Sequence, residues 1–137
     1  MNIIFLYFRS TIYLLGLLLS TVIYGLGSPL LILLTPTQAY RAVMPWAHFN
    51  LWWLKITCGV NYNILGRENI DLNNRGIILA NHQSTWETMM IPTFFPPTSF
   101  VIKKQLLKIP FFGWALSSVK PIAIDRNAGS SAVDQVK

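Results

Sequence analysis

Apolar and polar positions divide the chain into two unlike parts. From Ser10 to Tyr40 no residue is charged, and residues 11–34, TIYLLGLLLSTVIYGLGSPLLILL, are apolar almost throughout. A helix of that length crosses the roughly 30 Å hydrocarbon core of a bilayer. Gly25, Gly27, Ser28 and Pro29 interrupt its second half. That leaves two arrangements open: one tilted span, or two shorter helices hinged near Gly25–Pro29 that dip into one leaflet. The stretch is too long, and its start too weakly charged, for a signal peptide. Arg9 and Arg41 flank it on opposite sides, so the distribution of positive charge does not orient it. Next, residues 45–56, PWAHFNLWWLKI, put Trp46, Phe49, Trp53 and Ile56 at helical spacing with Trp52 beside them. Pro45 suits a first helical position. A Trp-rich face suits the headgroup level of a membrane, packing on a core being the alternative. His48 reads as a rim residue.

After Gly59 the pattern changes. VNYNILG, residues 60–66, alternates and predicts a strand. GIILA, residues 76–80, is continuously apolar, as in a strand buried on both faces. A short helix follows and is expected to stop near Pro92, with FFPPT as a loop. SFVIK, residues 99–103, and KPIAID, residues 120–125, predict two more strands, separated by KQLLKIPFFGWAL, which Pro110 and Gly113 break into a helical turn or two and an apolar surface segment. The order predicts an α/β layer with a mainly parallel sheet. Residues 1–40 are expected to be membrane-embedded, 41–59 an interfacial amphipathic helix, and 60–137 the α/β part.

Composition sharpens this reading. Hydrophobic residues make up 53% and charged residues 12% of 137, against about 25% charged in soluble domains. The net charge of +6 suits anionic lipid or a phosphorylated substrate; without a basic run or a recognisable module, nucleic acid is not an expected partner. The single cysteine, Cys58, excludes an intramolecular disulfide and reads as a buried or interfacial thiol. The final AIDRNAGSSAVDQVK reads as a strand, a loop and the opening of a helix, which would leave one face of a sheet uncovered; a truncated domain is the expectation.

Candidate chemistry sits where GIILA ends. Ligands of open α/β sheets gather outside the carboxyl ends of the strands, and Asn81 and His82 lie there. Histidine serves as a general base near neutral pH when a second group holds its ring, and Glu87 is the nearest candidate. On one continuous helix five residues turn through roughly 500°, leaving the two side chains about 140° apart. They meet only if His82 precedes the helix. STWE, residues 84–87, matches a capping box with Ser84 at N-cap and Glu87 at N3, which puts His82 two residues before the helix. The same box is the competing account, in which Glu87 only caps its helix and His82 is only a turn residue. One histidine and one carboxylate are too few for a metal site, and Ser84 lacks the G-x-S-x-G setting of a nucleophile.

At these residues a resemblance enters. NHQSTWE is similar to the NHx4D block of the glycerolipid acyltransferases, most closely the bacterial 1-acyl-sn-glycerol-3-phosphate (lysophosphatidate) acyltransferase family. FVIKKQLLKIPFFGWAL, residues 100–116, resembles the lysine-bearing stretch that follows that block, and KPIAIDR, residues 120–126, resembles the second block, which ends in arginine. The apolar start and Trp-rich helix are similar to the family's membrane anchor. Glu87 stands where the family usually has aspartate, and the third and fourth blocks would lie beyond Lys137.

The resemblance implies acyl transfer from acyl-CoA or acyl-carrier protein to the free sn-2 hydroxyl of lysophosphatidate, with no cofactor beyond that thioester co-substrate and no metal. It implies His82 and Glu87 as the catalytic pair and Asn81, Arg126, Lys103 and Lys104 as substrate-binding residues. In it Arg126 grips a phosphate bidentately, a surface charge beside Asp125 being the alternative. Lys103, Lys104 and Lys108 would meet anionic headgroups or CoA phosphates, unless they are a plain solvated face. Phe111, Phe112 and Trp114 would line an acyl groove or enter the bilayer, unless they are core. Expected partners are membrane lipids, lysophosphatidate and the acyl donor. The expected location is a membrane, the bacterial inner membrane with the active part facing the cytoplasm. Another lysolipid acceptor, such as a lyso-ornithine lipid, and a non-catalytic membrane-anchored fragment are the alternatives.

Overall fold

The computed structural model describes residues 2–71 and 76–125. It is mostly helical, with a long apolar helix first and a small parallel sheet last. Helix α1, Ile3–Gly27, is capped by Asn2, whose side chain accepts the Ile4 N–H at 3.1 Å. At 25 residues it is about 37 Å long, and together with the following turns it is long and apolar enough to cross a membrane. The candidate hinge is where the helix type changes: Ser28–Leu33 winds on as a 3₁₀ helix with Pro29 in its first turn.

Helix α2, Pro36–Cys58, starts on a complete Thr35–Gln38 capping box and ends at Gly59, whose φ of 72° gives the left-handed C-cap. It runs back along α1. Arg9 Nε donates to the Thr57 carbonyl near the end of α2, and Trp53 Nε1 donates to the Ile12 carbonyl at 3.3 Å. Asn50 is fully buried. Its Nδ2 donates to Ser20 Oγ at 3.1 Å and to the Trp46 carbonyl at 2.8 Å. Small residues permit the close approach: Gly16 faces the Trp53 indole, leaving no room for a methyl group. Gly16 and Ser20, four apart, form the small-residue stripe common between membrane helices.

Pro45 is not at a helix start but inside α2. The helix already has its first turn in Pro36 and its cap in Thr35. Proline removes one interior N–H donor, and Pro45 faces solvent. The expected aromatic face is split: Trp52 and Ile56 are more than half exposed, whereas Trp53 packs on α1.

Helix α3, Thr85–Phe94, packs on α2, burying Met89 and Met90 with Ala39, Tyr40 and Ala47. Tyr40 Oη donates to the Pro92 carbonyl at 2.7 Å. The helix continues two residues past Pro92, which costs only a bond in its last turn.

Strand β1, Val101–Lys103, and strand β2, Ile122–Ile124, pair in parallel, Val101 opposite Ile122 and Lys103 opposite Ile124. Between them lie a 3₁₀ helix, Lys104–Lys108, and helix α4, Phe112–Ser118. The crossover docks on the first helix. A methyl group at Gly25 would lie 2.5 Å from Phe111 Cα. Phe111 itself has φ 63° and ψ −56°, and Phe112 N donates across it to the Pro110 carbonyl at 2.7 Å. This is a γ-turn of positive φ, a strained geometry for a residue with a side chain.

Two expected strands do not form. Residues 60–66 and 76–80 carry no ladder, and Ile77 and Leu79 are 91% and 93% exposed rather than buried on both faces. A strand exists through hydrogen bonds to a neighbour, and the sheet among the described residues consists of β1 and β2 alone. Apolar composition marks GIILA for burial without supplying a partner.

Candidate active site

The site is built on the start of α3. Ser84 is the N-cap, extended at φ −153° and ψ 175°, and its Oγ accepts the Trp86 N–H at 3.1 Å. The Glu87 carboxylate folds back over this turn. Its Oε1 accepts the Ser84 N–H at 2.8 Å and the Gln83 N–H, and its Oε2 accepts the Ser84 hydroxyl at 2.6 Å. The turn carries His82 to the same oxygen: His82 Nδ1 lies 3.4 Å from Glu87 Oε1. That exceeds the usual N–H···O range of 2.7–3.2 Å, so the pair is in electrostatic contact without a tight hydrogen bond.

Exposure differs between the two. The His82 side chain keeps 68% of its accessible surface and Glu87 keeps 16%. The carboxylate is tied into the backbone, while the imidazole is open to solvent. The hydrogen bond from the Ser84 hydroxyl, helped by the Ser84 N–H, pulls the Glu87 carboxyl from the ordinary 4.5 down to about 2. Glu87 is therefore an anion throughout the neutral range. Capping and pairing are not alternatives here, because one carboxylate does both.

Tyr62, from the extended segment before the site, packs its ring 5.6 Å from that of Trp86. Neither Tyr62 nor the Ser84–Glu87 side-chain bond was signalled by spacing. The first joins residues 24 apart, and the second needs rotamers that a motif does not carry. Asn81 is exposed beside His82, in the run leading into the turn. Lys103 ends β1 and Lys104 opens the 3₁₀ helix after it, both exposed. Among the described residues no ion pair joins them to Glu87. Lys108 is exposed at the end of the same turn. Phe111 and Phe112 are half-buried, and Trp114 is exposed with its ring edge-on to Phe111 at 5.1 Å. Arg126 lies outside the described residues. Among the described residues no cluster of three or more His, Cys, Asp or Glu side chains is placed to hold a metal.

Comparison with known proteins adds a separate line. A family model described as Acyltransferase matches residues 61–137. A 1-acyl-sn-glycerol-3-phosphate acyltransferase of Pseudomonas aeruginosa is 41% identical over 130 residues, which cover 93% of this chain and 50% of that protein. Proteins of the same name from Saccharomyces cerevisiae and Salmonella typhimurium are 34% identical over 82 residues and 36% identical over 85. Those matches cover 59% and 60% of this chain, and 27% and 31% of the two relatives. The chain thus spans half the length of the first relative and less of the others. No solved structure gives a significant match.

Proposed function

Since the chain belongs to the acyltransferase family, we propose that it serves in transfer of a fatty acyl group from a thioester to the free sn-2 hydroxyl of lysophosphatidate, giving phosphatidate. The observation that carries the proposal is the His82–Glu87 pair at the mouth of α3. With Nδ1 turned to Glu87, Nε2 is the nitrogen presented to the hydroxyl. His82 takes the hydroxyl proton as the oxygen attacks the thioester carbonyl. The C–S bond then breaks, the thiol leaves, and the proton passes from the imidazolium to the departing sulfur. Glu87, anionic and tied to the turn, stabilises the imidazolium and orients its ring. The acceptor hydroxyl attacks directly, so no acyl-enzyme forms. General-base help of this kind contributes about 10²- to 10⁴-fold.

The thioester is acyl-CoA or acyl-carrier protein, and Lys103 and Lys104 suit its phosphates or anionic headgroups by charge. Asn81 and Arg126 are the further substrate-binding residues, Arg126 for the acceptor phosphate. The exposed apolar surface of α1, including Leu14, Leu15, Leu18, Leu19 and Ile23, supports a membrane location. We place residues 1–40 in the bilayer together with the stretch of α2 that runs back beside α1, and the acyltransferase part from residue 60 on the cytoplasmic side of a bacterial inner membrane.

The test is an assay of the full-length protein with lysophosphatidate and acyl-CoA. Loss of at least about 10²-fold in turnover is expected for His82→Ala. Full activity of that variant would remove the base from the mechanism.

A further inference from the structure

We propose that Ser84 is a positioning residue for the His82–Glu87 pair, its hydroxyl fixing the plane of the carboxylate so that Oε1 faces the imidazole. The inference rests on the reading of His82 as the base. A capping box needs the serine oxygen as acceptor and the glutamate as acceptor of the N-cap N–H. Both are present: Ser84 Oγ accepts the Trp86 N–H at 3.1 Å, and Glu87 Oε1 accepts the Ser84 N–H at 2.8 Å. The bond from the Ser84 hydroxyl to Glu87 Oε2, 2.6 Å long, is surplus to capping.

That surplus bond acts on a soft coordinate. Rotation of a glutamate carboxylate about its last torsion is broad. The N–H groups of Gln83 and Ser84 hold only Oε1, about which the other oxygen can still swing. A donor on Oε2 stops the swing. The donor is itself immobile, because the first turn of α3 supplies the Trp86 N–H that holds its oxygen. His82 sits in an exposed turn with its side chain 68% accessible, and the carboxylate is the group the structure places against its ring. A fixed acceptor is therefore the means of aiming that ring.

The experiment separates aiming from capping. Glycine is nearly as good an N-cap as serine, so Ser84→Gly removes the hydroxyl with little loss of helix stability. In the full-length protein assayed with lysophosphatidate and acyl-CoA, Ser84→Gly is expected to lower kcat by about 10- to 100-fold, the worth of one hydrogen bond to a charged group, with KM unchanged. Ser84→Thr restores the hydroxyl and kcat. Ser84→Asp, a cap as good as serine with no proton to donate, loses at least as much as glycine. In a Glu87→Gln background Ser84→Gly causes no further loss, because its effect runs through the carboxylate. Undiminished kcat in Ser84→Gly or in Ser84→Asp, or a loss that adds in full to that of Glu87→Gln, overturns the proposal. The two levels fail differently. An active His82→Ala removes the base reading and this one with it. An inactive His82→Ala beside a fully active Ser84→Gly removes only the role of Ser84.

Discussion

Glu87 Oε1 stands 3.4 Å from His82 Nδ1 while accepting the Ser84 N–H at 2.8 Å. The anion that would steady a charged imidazole is thus the anion that starts the helix. Its charge is most costly to lose at the helix N-terminus, where the N–H dipoles point at it.

That coupling has a pH signature. Glu87 titrates at about 2 in the fold against 4.5 in its ordinary state. A depressed carboxyl stabilises the fold above its unfolded value, and the stabilisation is lost as the proton returns. The stability advantage of wild type over Glu87→Gln should therefore shrink as pH falls from 4.5 towards 2. Thermal unfolding of both proteins across that range checks it. A difference independent of pH would show that the carboxylate's charge adds nothing.

Glu87→Gln should also act on turnover. The amide keeps the shape, and its oxygen can still accept the Ser84 and Gln83 N–H groups, but it cannot steady an imidazolium, and its NH₂ group is a donor where Oε2 accepted the Ser84 hydroxyl. A fall in kcat of about 10²-fold or more is expected, measured at saturating lysophosphatidate. Retention of wild-type kcat would leave Glu87 as a cap alone.

Gly25 and Gly27 make a matched pair near the end of α1. A methyl group at Gly25 meets the Phe111 backbone at 2.5 Å, whereas one at Gly27 meets nothing within 4 Å. Gly25→Ala should destabilise by about 1–3 kcal/mol through overpacking. Gly27→Ala should be neutral or stabilising by about 0.4–1 kcal/mol, since helical alanine loses less entropy. Melting temperatures in detergent distinguish them, and equal shifts would argue against the close approach of α1 and the Phe111 turn.

Asn50 tests the seam between α1 and α2. Its amide is fully buried and its Nδ2 divides between Ser20 and the Trp46 carbonyl. Asn50→Ala removes both bonds and leaves a gap, for an expected cost of about 1–3 kcal/mol. Ser20→Ala should cost less, because the Ser20 hydroxyl already donates to the Leu17 carbonyl of its own helix at 3.0 Å. The ranking of the two variants in thermal unfolding is the measurement.

Much of this is legible in the residues themselves, and the rest fails for identifiable reasons. The cap at Ser84 needs only local chemistry, and it falls where STWE puts it. The β-branched runs around Val101 and Ile122 form strands, and their parallel pairing follows from the crossover between them. GIILA misleads because continuous apolarity reports a need for burial and not a hydrogen-bonding neighbour. Pro45 misleads because a helix-starting residue is judged by its own preference, whereas Thr35 and Gln38, ten and seven residues earlier, had already begun the helix. Arg9 on Thr57 and Ser20 on Asn50 join positions 48 and 30 apart, and no period in the chain announces them.

The γ-turn at Phe111 bears on how the chain can be divided. A positive-φ geometry at a bulky residue costs on the order of 1–3 kcal/mol and persists only where surroundings enforce it. Here the surroundings include Gly25 on α1. The loop ahead of α4 thus keeps its shape by leaning on the first helix. A version cut to begin near residue 60 would lose that template, and its turn would be released to relax. The first helix is in that sense a mould for the part that follows it, and deleting it would remould the turn it shapes.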